Sequence, residues 1–208
     1  MKTNEYYELL GRINELESRL NNLELNHKNI NKKEEINMNN IEEIKIGKNE
    51  MISHVKEILE PILEPKDYFV RKAIPKNGEG SGILLESKDK LNNKKIMLKK
   101  SKDYAKQYNF DDEFKFSGWF TSSGSELNEY DGYIFIVYKD SVPTYFIFNK
   151  NEMKYVLEQK IEDSTGKYHF YLAEDKRGQY FDHREGGLLL TGNVNAWGMI
   201  EEIISEES

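Results

Sequence analysis

The fold is decided by the stretch from Asp67 to Lys100. It reads Asp67-Tyr-Phe-Val-Arg-Lys-Ala-Ile-Pro75, a turn Lys76-Asn-Gly-Glu-Gly-Ser-Gly82, Ile83-Leu-Leu-Glu-Ser-Lys88, a second turn over residues 89–93, and Lys94-Lys-Ile-Met-Leu-Lys-Lys100. Three short apolar runs between turns rich in Asn, Gly and Asp predict an antiparallel meander. If the first turn is centred between Asn77 and Gly78, Phe69 pairs with Glu86 and Asp67 with Lys88.

One end of this hairpin then carries the candidate catalytic residues Asp67, Glu86 and Lys88. Two carboxylates are suited to bind a divalent cation, and a lysine can steady a phosphate or a water molecule. The combination predicts metal-dependent phosphodiester cleavage, with Asp67 and Glu86 as the metal ligands and Mg²⁺ as cofactor only if the site is active. A second Glu-x-Lys triplet, Glu113-Phe-Lys115, is better interpreted as a charged lead-in to a strand.

The net charge of −7 is unevenly distributed along the chain. Residues 67–120 carry 12 basic and 8 acidic groups, whereas residues 121–208 carry 8 and 16. A basic segment of this density attracts nucleic acid. The side chains predicted to bind backbone phosphates are Lys94, Lys95, Lys99, Lys100 and Lys102. The competing interpretation is a strand edge guarded by lysines against edge-to-edge pairing.

Composition excludes several other classes of site. The chain has no cysteine, which excludes disulfides and thiolate zinc sites, and its four histidines show no metal-ligand spacing. No apolar run approaches the roughly 20 residues that span a bilayer, and the first residues lack the apolar core of a signal peptide. We expect a soluble cytoplasmic protein without a membrane partner.

Heptad spacing dominates the N-terminal third of the chain. Residues at intervals of three and four are apolar: Tyr6, Leu9, Ile13, Leu16, Leu20 and Leu23. This pattern predicts a coiled coil that forms a homo-oligomer, most simply a dimer, through residues 6–23. The Asn-rich run that follows allows either one long helix or a helical hairpin turning near residues 28–40. The predicted division is an oligomerisation segment at 1–48 and an α+β domain at 49–208.

The remaining elements complete an α+β domain. Helices are predicted at residues 51–63, 151–159 (capped by Asn149 or Asn151) and 195–204, and a further strand at 168–172. Residues 133–138 and 144–148 are apolar on both faces, which predicts two central strands of a mixed sheet with layers on each side.

This order of helix, three meandering strands, a connecting segment and further strands resembles the PD-(D/E)XK nuclease-like superfamily over about residues 50–160. The resemblance implies a restriction-endonuclease-like fold, in which an Asp on one strand and a Glu-x-Lys on the next bind Mg²⁺ and activate water. Its defence-associated members further imply a role in bacterial or phage defence or counter-defence.

Two registers of that motif compete. In strict strand order Met97 stands where the acid of the Glu-x-Lys strand belongs, ahead of Lys99, which describes a degenerate site. In the other register Asp67 and the triplet Glu86-Ser87-Lys88 supply the motif. Two functional hypotheses follow. One is a nuclease-like protein that binds nucleic acid and, in the second register, cleaves it. The other is a catalytically inactive protein-interaction module, an inhibitor or assembly subunit dimerised by its coiled coil.

Overall fold

The computed structural model of the protein describes residues 46–73 and 82–206. The helices of this part are α1 (Lys48–Leu63), α2 (Gly124–Leu127), α3 (Lys150–Glu158) and α4 (Gly198–Ser205), with 3-10 turns at Glu64–Lys66 and Thr191–Asn193. The strands are β1 (Tyr68–Lys72), β2 (Gly82–Ser87), β3 (Lys94–Lys102), β4 (Phe114–Ser123), β5 (Gly132–Lys139), β6 (Val142–Asn149), β7 (Lys167–Asp175), β8 (Tyr180–Asp182) and β9 (Leu188–Leu189). The predicted α+β class is confirmed.

Five strands form a mixed sheet, sheet A, in the order β1-β2-β3-β5-β6. Only the β3–β5 pair is parallel among these neighbours. The meander β1-β2-β3 has the predicted register: Phe69 pairs with Glu86, and the Lys88 amide donates to the Asp67 carbonyl at 2.9 Å. Because side chains alternate along a strand, this register fixes which residues share a face.

One face of sheet A packs against α1 and α4. Met51, Val55 and Leu59 of α1 and Ile200 and Ile203 of α4 are buried in this first core. The sheet contributes residues of alternating position, such as Val70, Ile83, Leu85, Ile96, Leu98, Ile134 and Ile136. Helices and sheet are thus held together by the burial of apolar area.

The other face of sheet A is covered by a second, antiparallel sheet, sheet B, with the order β4-β7-β8-β9. Phe120 of β4 and Phe170 of β7 both pack on Phe135 of β5, with ring centroids 5.1 Å apart in each pair. Strand β5 is buried from Gly132 to Tyr138, as expected of a strand between two layers. The architecture is therefore helices, mixed sheet and second sheet.

Side chains from sheet A close the free edge of β4. The Ser101 hydroxyl accepts from the Trp119 amide at 2.8 Å, and the Asp103 carboxylate accepts from the Ser117 amide at 2.9 Å. The ammonium groups of two lysines donate to β4 carbonyls: Lys99 to Thr121 at 2.5 Å and Lys139 to Lys115 at 2.6 Å. These contacts join the two sheets along one seam and satisfy backbone groups that would otherwise lack a partner.

Several local predictions need comment. Asn149 is the α3 cap, since its side chain accepts from the Glu152 amide at 2.8 Å. Strand β6 lies at the edge of sheet A, so the prediction of a second central strand was wrong. Residues 145–149 are nevertheless buried because their side chains alternate between the two cores, and Asn193, Val194 and Asn195 pair with the outer edge of the strand. The predicted coiled coil lies outside the described residues.

Candidate nucleic-acid interface

The hairpin β1–β2 brings the predicted residues Asp67 and Lys88 together. Asp67 follows a 3-10 turn and takes a left-handed conformation with φ of 59°, which ends the turn and starts β1. Its Oδ1 atom lies 3.1 Å from the Nζ atom of Lys88. Both side chains are about 70% exposed, so the ion pair is a surface contact of small energetic weight.

Glu86 belongs to a different ion pair. It lies on the face of sheet A that points away from α1, and it binds the guanidinium of Arg71. Each predicted metal-binding carboxylate is therefore held by a protein cation. The described residues also contain no group of three or more His, Asp or Glu side chains placed to bind a metal. Two carboxylates that each bind a protein cation, without a third donor among the described residues, do not fit Mg²⁺.

In the alternative register of the motif, β3 is the Glu-x-Lys strand, with Met97 at the acid position and Lys99 as the lysine. Met97 is buried in the second core, and the Lys99 ammonium lies 2.9 Å from a carboxylate oxygen of Glu126 on α2. The same oxygen accepts from the Ser122 hydroxyl at 2.5 Å. The acid that accompanies Lys99 thus comes from another element. In the second triplet, Glu113-Phe-Lys115, the lysine has a structural role, because Lys115 on β4 forms an ion pair with Glu174 on β7.

The five lysines predicted to bind phosphate do not form one patch, because neighbouring positions of β3 face opposite layers. Lys94 is 3% exposed and donates to the Glu206 carbonyl at 2.6 Å. Lys100 donates to the Ile46 carbonyl, and Lys99 closes the β4 edge. Lys95 is exposed on the face of sheet A that points away from α1. Lys102 lies over the Tyr104 ring at 5.3 Å from its centroid.

Part of sheet A remains open to solvent. The face of sheet A that points away from α1 carries three direct cross-strand neighbours, Arg71, Leu84 and Lys95. Phe69 lies two residues before Arg71 on the same face. Phe69 is 48% exposed, and the Arg71 side chain is 61% exposed. We call these residues, together with Glu86, the open face. It combines two cations, one of them paired with Glu86, with exposed apolar area.

Sequence reasoning missed a second surface, on the outer side of sheet B. Trp119 is 39% exposed, and its ring lies nearly parallel to those of His169 (centroids 6.0 Å apart, 12°) and Tyr171 (6.2 Å, 22°). Tyr104 meets the Trp119 ring edge-on at 6.4 Å. We call these four residues the aromatic surface. Alternation along β4 was the available signal: Phe116 and Phe120 face the core, so Trp119 must face outward.

Two further buried groups, Lys160 and His183, contact polar side chains of other elements. The Lys160 ammonium, 3% exposed, lies 2.7 Å from Asp182 and 3.0 Å from Glu185, and ties the end of the α3 segment to sheet B. The His183 Nε2 atom lies 2.8 Å from the buried Ser117 hydroxyl. Burial lowers the pKa of His183 below its ordinary value, although the nearby Asp182 charge opposes this.

No protein-family model matches the chain, and no curated protein and no solved structure matches it. Across residues 46–73 and 82–206, none of the helices has the length and apolar character needed to cross a membrane.

Proposed function

We propose that this protein binds nucleic acid through the open face of sheet A. The observation that carries the proposal is the row Arg71, Leu84 and Lys95, which sets two exposed cations in register on a face that no other element of residues 46–73 and 82–206 covers. Cations so placed bind backbone phosphates and fix the orientation of the polymer without reading its sequence. The resemblance to nuclease-like proteins points to the same class of ligand.

The surrounding charge supports this choice of ligand. The described residues of the meander and its turn, 67–73 and 82–102, carry nine basic and three acidic groups. Lys100 donates to a neutral carbonyl, and this bond leaves its charge in place. The meander therefore has a positive field on a chain of net charge −7, which favours approach of a polyanion.

The test is titration of fluorescein-labelled DNA, duplex and single-stranded, followed by anisotropy at several salt concentrations. The variant Arg71→Gln/Lys95→Gln removes the two cations, and Lys150→Gln/Lys154→Gln removes the same charge from α3 as a matched control. We expect log K against log salt to become shallower by about 2 for the first variant, one unit per phosphate contact. The control should keep the slope of the unmodified protein.

Equal slopes for the two variants would refute the open face as the binding site. Absence of binding to either DNA at low salt would refute nucleic-acid binding and favour the protein-interaction hypothesis. Cleavage of the bound nucleic acid at Asp67, Glu86 and Lys88 stays a prediction, and it requires both carboxylates to exchange their protein cations for a metal ion.

A further inference from the structure

We infer that the aromatic surface of sheet B is a second binding site, specific for the unpaired bases of single-stranded nucleic acid. The inference rests on the proposed function in one respect, that the ligand is nucleic acid, but it concerns a different sheet. An exposed indole whose plane parallels two neighbouring rings offers a flat platform on which bases stack.

The platform is held in place before any ligand binds. Trp119 can only donate, so its Nε1–H, 3.2 Å from His169 Nδ1, requires that nitrogen to accept. The His169 proton therefore resides on Nε2, which donates to Asp163 at 2.7 Å. This chain of contacts fixes the indole and imidazole planes, so little conformational entropy is lost when a base stacks on them.

The charges around the platform suit a phosphate backbone. The Arg184 guanidinium lies 5.2 Å above the centre of the Tyr171 ring, the Lys102 ammonium lies 5.3 Å from that of Tyr104, and Lys167 is exposed two residues before His169. Two of the carboxylates nearby, Asp163 and Glu185, already bind protein groups. Asp163 accepts from His169 and from the hydroxyl of Thr165, and Glu185 pairs with Lys160 and Arg184.

Single strands are favoured over duplexes because stacking requires an accessible base face. In a duplex these faces are covered by neighbouring base pairs, whereas an unpaired base turns its π-face toward an aromatic side chain. We therefore expect selectivity for oligothymidylate and oligouridylate over a duplex of equal length.

Tryptophan fluorescence gives a direct test. The chain has two tryptophans, and Trp197→Phe leaves Trp119 as the only one. We expect titration of the Trp197→Phe protein with oligothymidylate to quench its emission, and the matching duplex to quench it much less. Independently, labelled oligothymidylate should bind Trp119→Ala about 5- to 150-fold more weakly, the range for losing one base stack. Tyr155→Ala, which removes an exposed aromatic ring from α3, is the control.

The outcomes separate the two proposals. Single-strand affinity that Trp119→Ala leaves unchanged, together with absent quenching, would refute the aromatic surface even if the open-face variant loses binding. Loss of affinity in Trp119→Ala with no effect of Arg71→Gln/Lys95→Gln would support the aromatic surface and refute the open face. Equal quenching by duplex and single strand would refute the selectivity.

Discussion

Gly118 on β4 makes the packing of the two sheets testable. A Cβ atom at this position would lie 3.0 Å from the Cγ1 atom of Val137 on β5 and closer still to Cγ2. Val137 is 1% exposed in the second core and cannot move into solvent. We expect Gly118→Ala to lower the free energy of unfolding by about 2 to 3 kcal/mol, a typical cost of overpacking.

Val137→Ala alone should cost about 2 kcal/mol, for the two carbons removed and the space they leave. If the two residues meet as described, the methyl group that Gly118→Ala introduces would occupy that space in the double variant. The double variant should then lose about 2 kcal/mol, well below the sum of the single losses, as coupled neighbours do. Urea unfolding followed by circular dichroism measures all four proteins, with m-values expected to be equal. Additive losses, or a Gly118→Ala protein as stable as the unmodified one, would refute the stacking of sheet B on β5.

Three further predictions concern cleavage at the hairpin end and the contributions of His183 and Lys99 to stability. If cleavage occurs at the hairpin end, DNA or RNA cutting with Mg²⁺ or Mn²⁺ should be abolished by both Glu86→Ala and Lys88→Ala; cutting that survives both would place the chemistry elsewhere. Since burial lowers the pKa of His183 from 6.5, the unfolded chain takes up the proton first as the pH falls. The contribution of His183 to the free energy of unfolding should be complete above about pH 7 and decrease as the pH falls through 6.5 toward the pKa of the folded state. Urea midpoints that show the same decrease in His183→Gln would contradict this. Lys99→Met should lower the free energy of unfolding by about 2 kcal/mol, because it removes two hydrogen bonds made by a charged group, whereas Lys95→Met should change it by less than about 0.5 kcal/mol; equal effects in urea unfolding would refute the structural role.

The sequence was sufficient to predict the β1–β2 register. A turn centred on Asn77 and Gly78, together with the period of two in side-chain direction, left one pairing that buries Ile83 and Leu85. It also predicted the helices α1, α3 and α4 and the strands β1 to β3 and β5 to β7, because these depend on local periodicity, but not the short elements α2, β8 and β9. The same alternation places the lysines of β3 on both faces of sheet A, although they form one run of cations in the sequence.

Sheet B was beyond local reasoning. Its longest pair joins β4 with β7, strands separated by two strands and two helices, and nothing local to either one selects the other. The same is true of the side chains that complete β4. The contacts Lys99–Thr121 and Ser101–Trp119 depend on sheet B lying beside the end of β3, so their roles are visible only in three dimensions.

The closed seam of β4 has a consequence for self-association. An edge strand with open amides and carbonyls is a template onto which another polypeptide adds by backbone pairing. On β4 the side chains of Lys99, Ser101, Asp103 and Lys139 occupy those groups, so an incoming strand would have to displace all four. They therefore serve as a barrier to intermolecular strand addition. A variant lacking them is expected to aggregate from its folded state, through the exposed edge of β4.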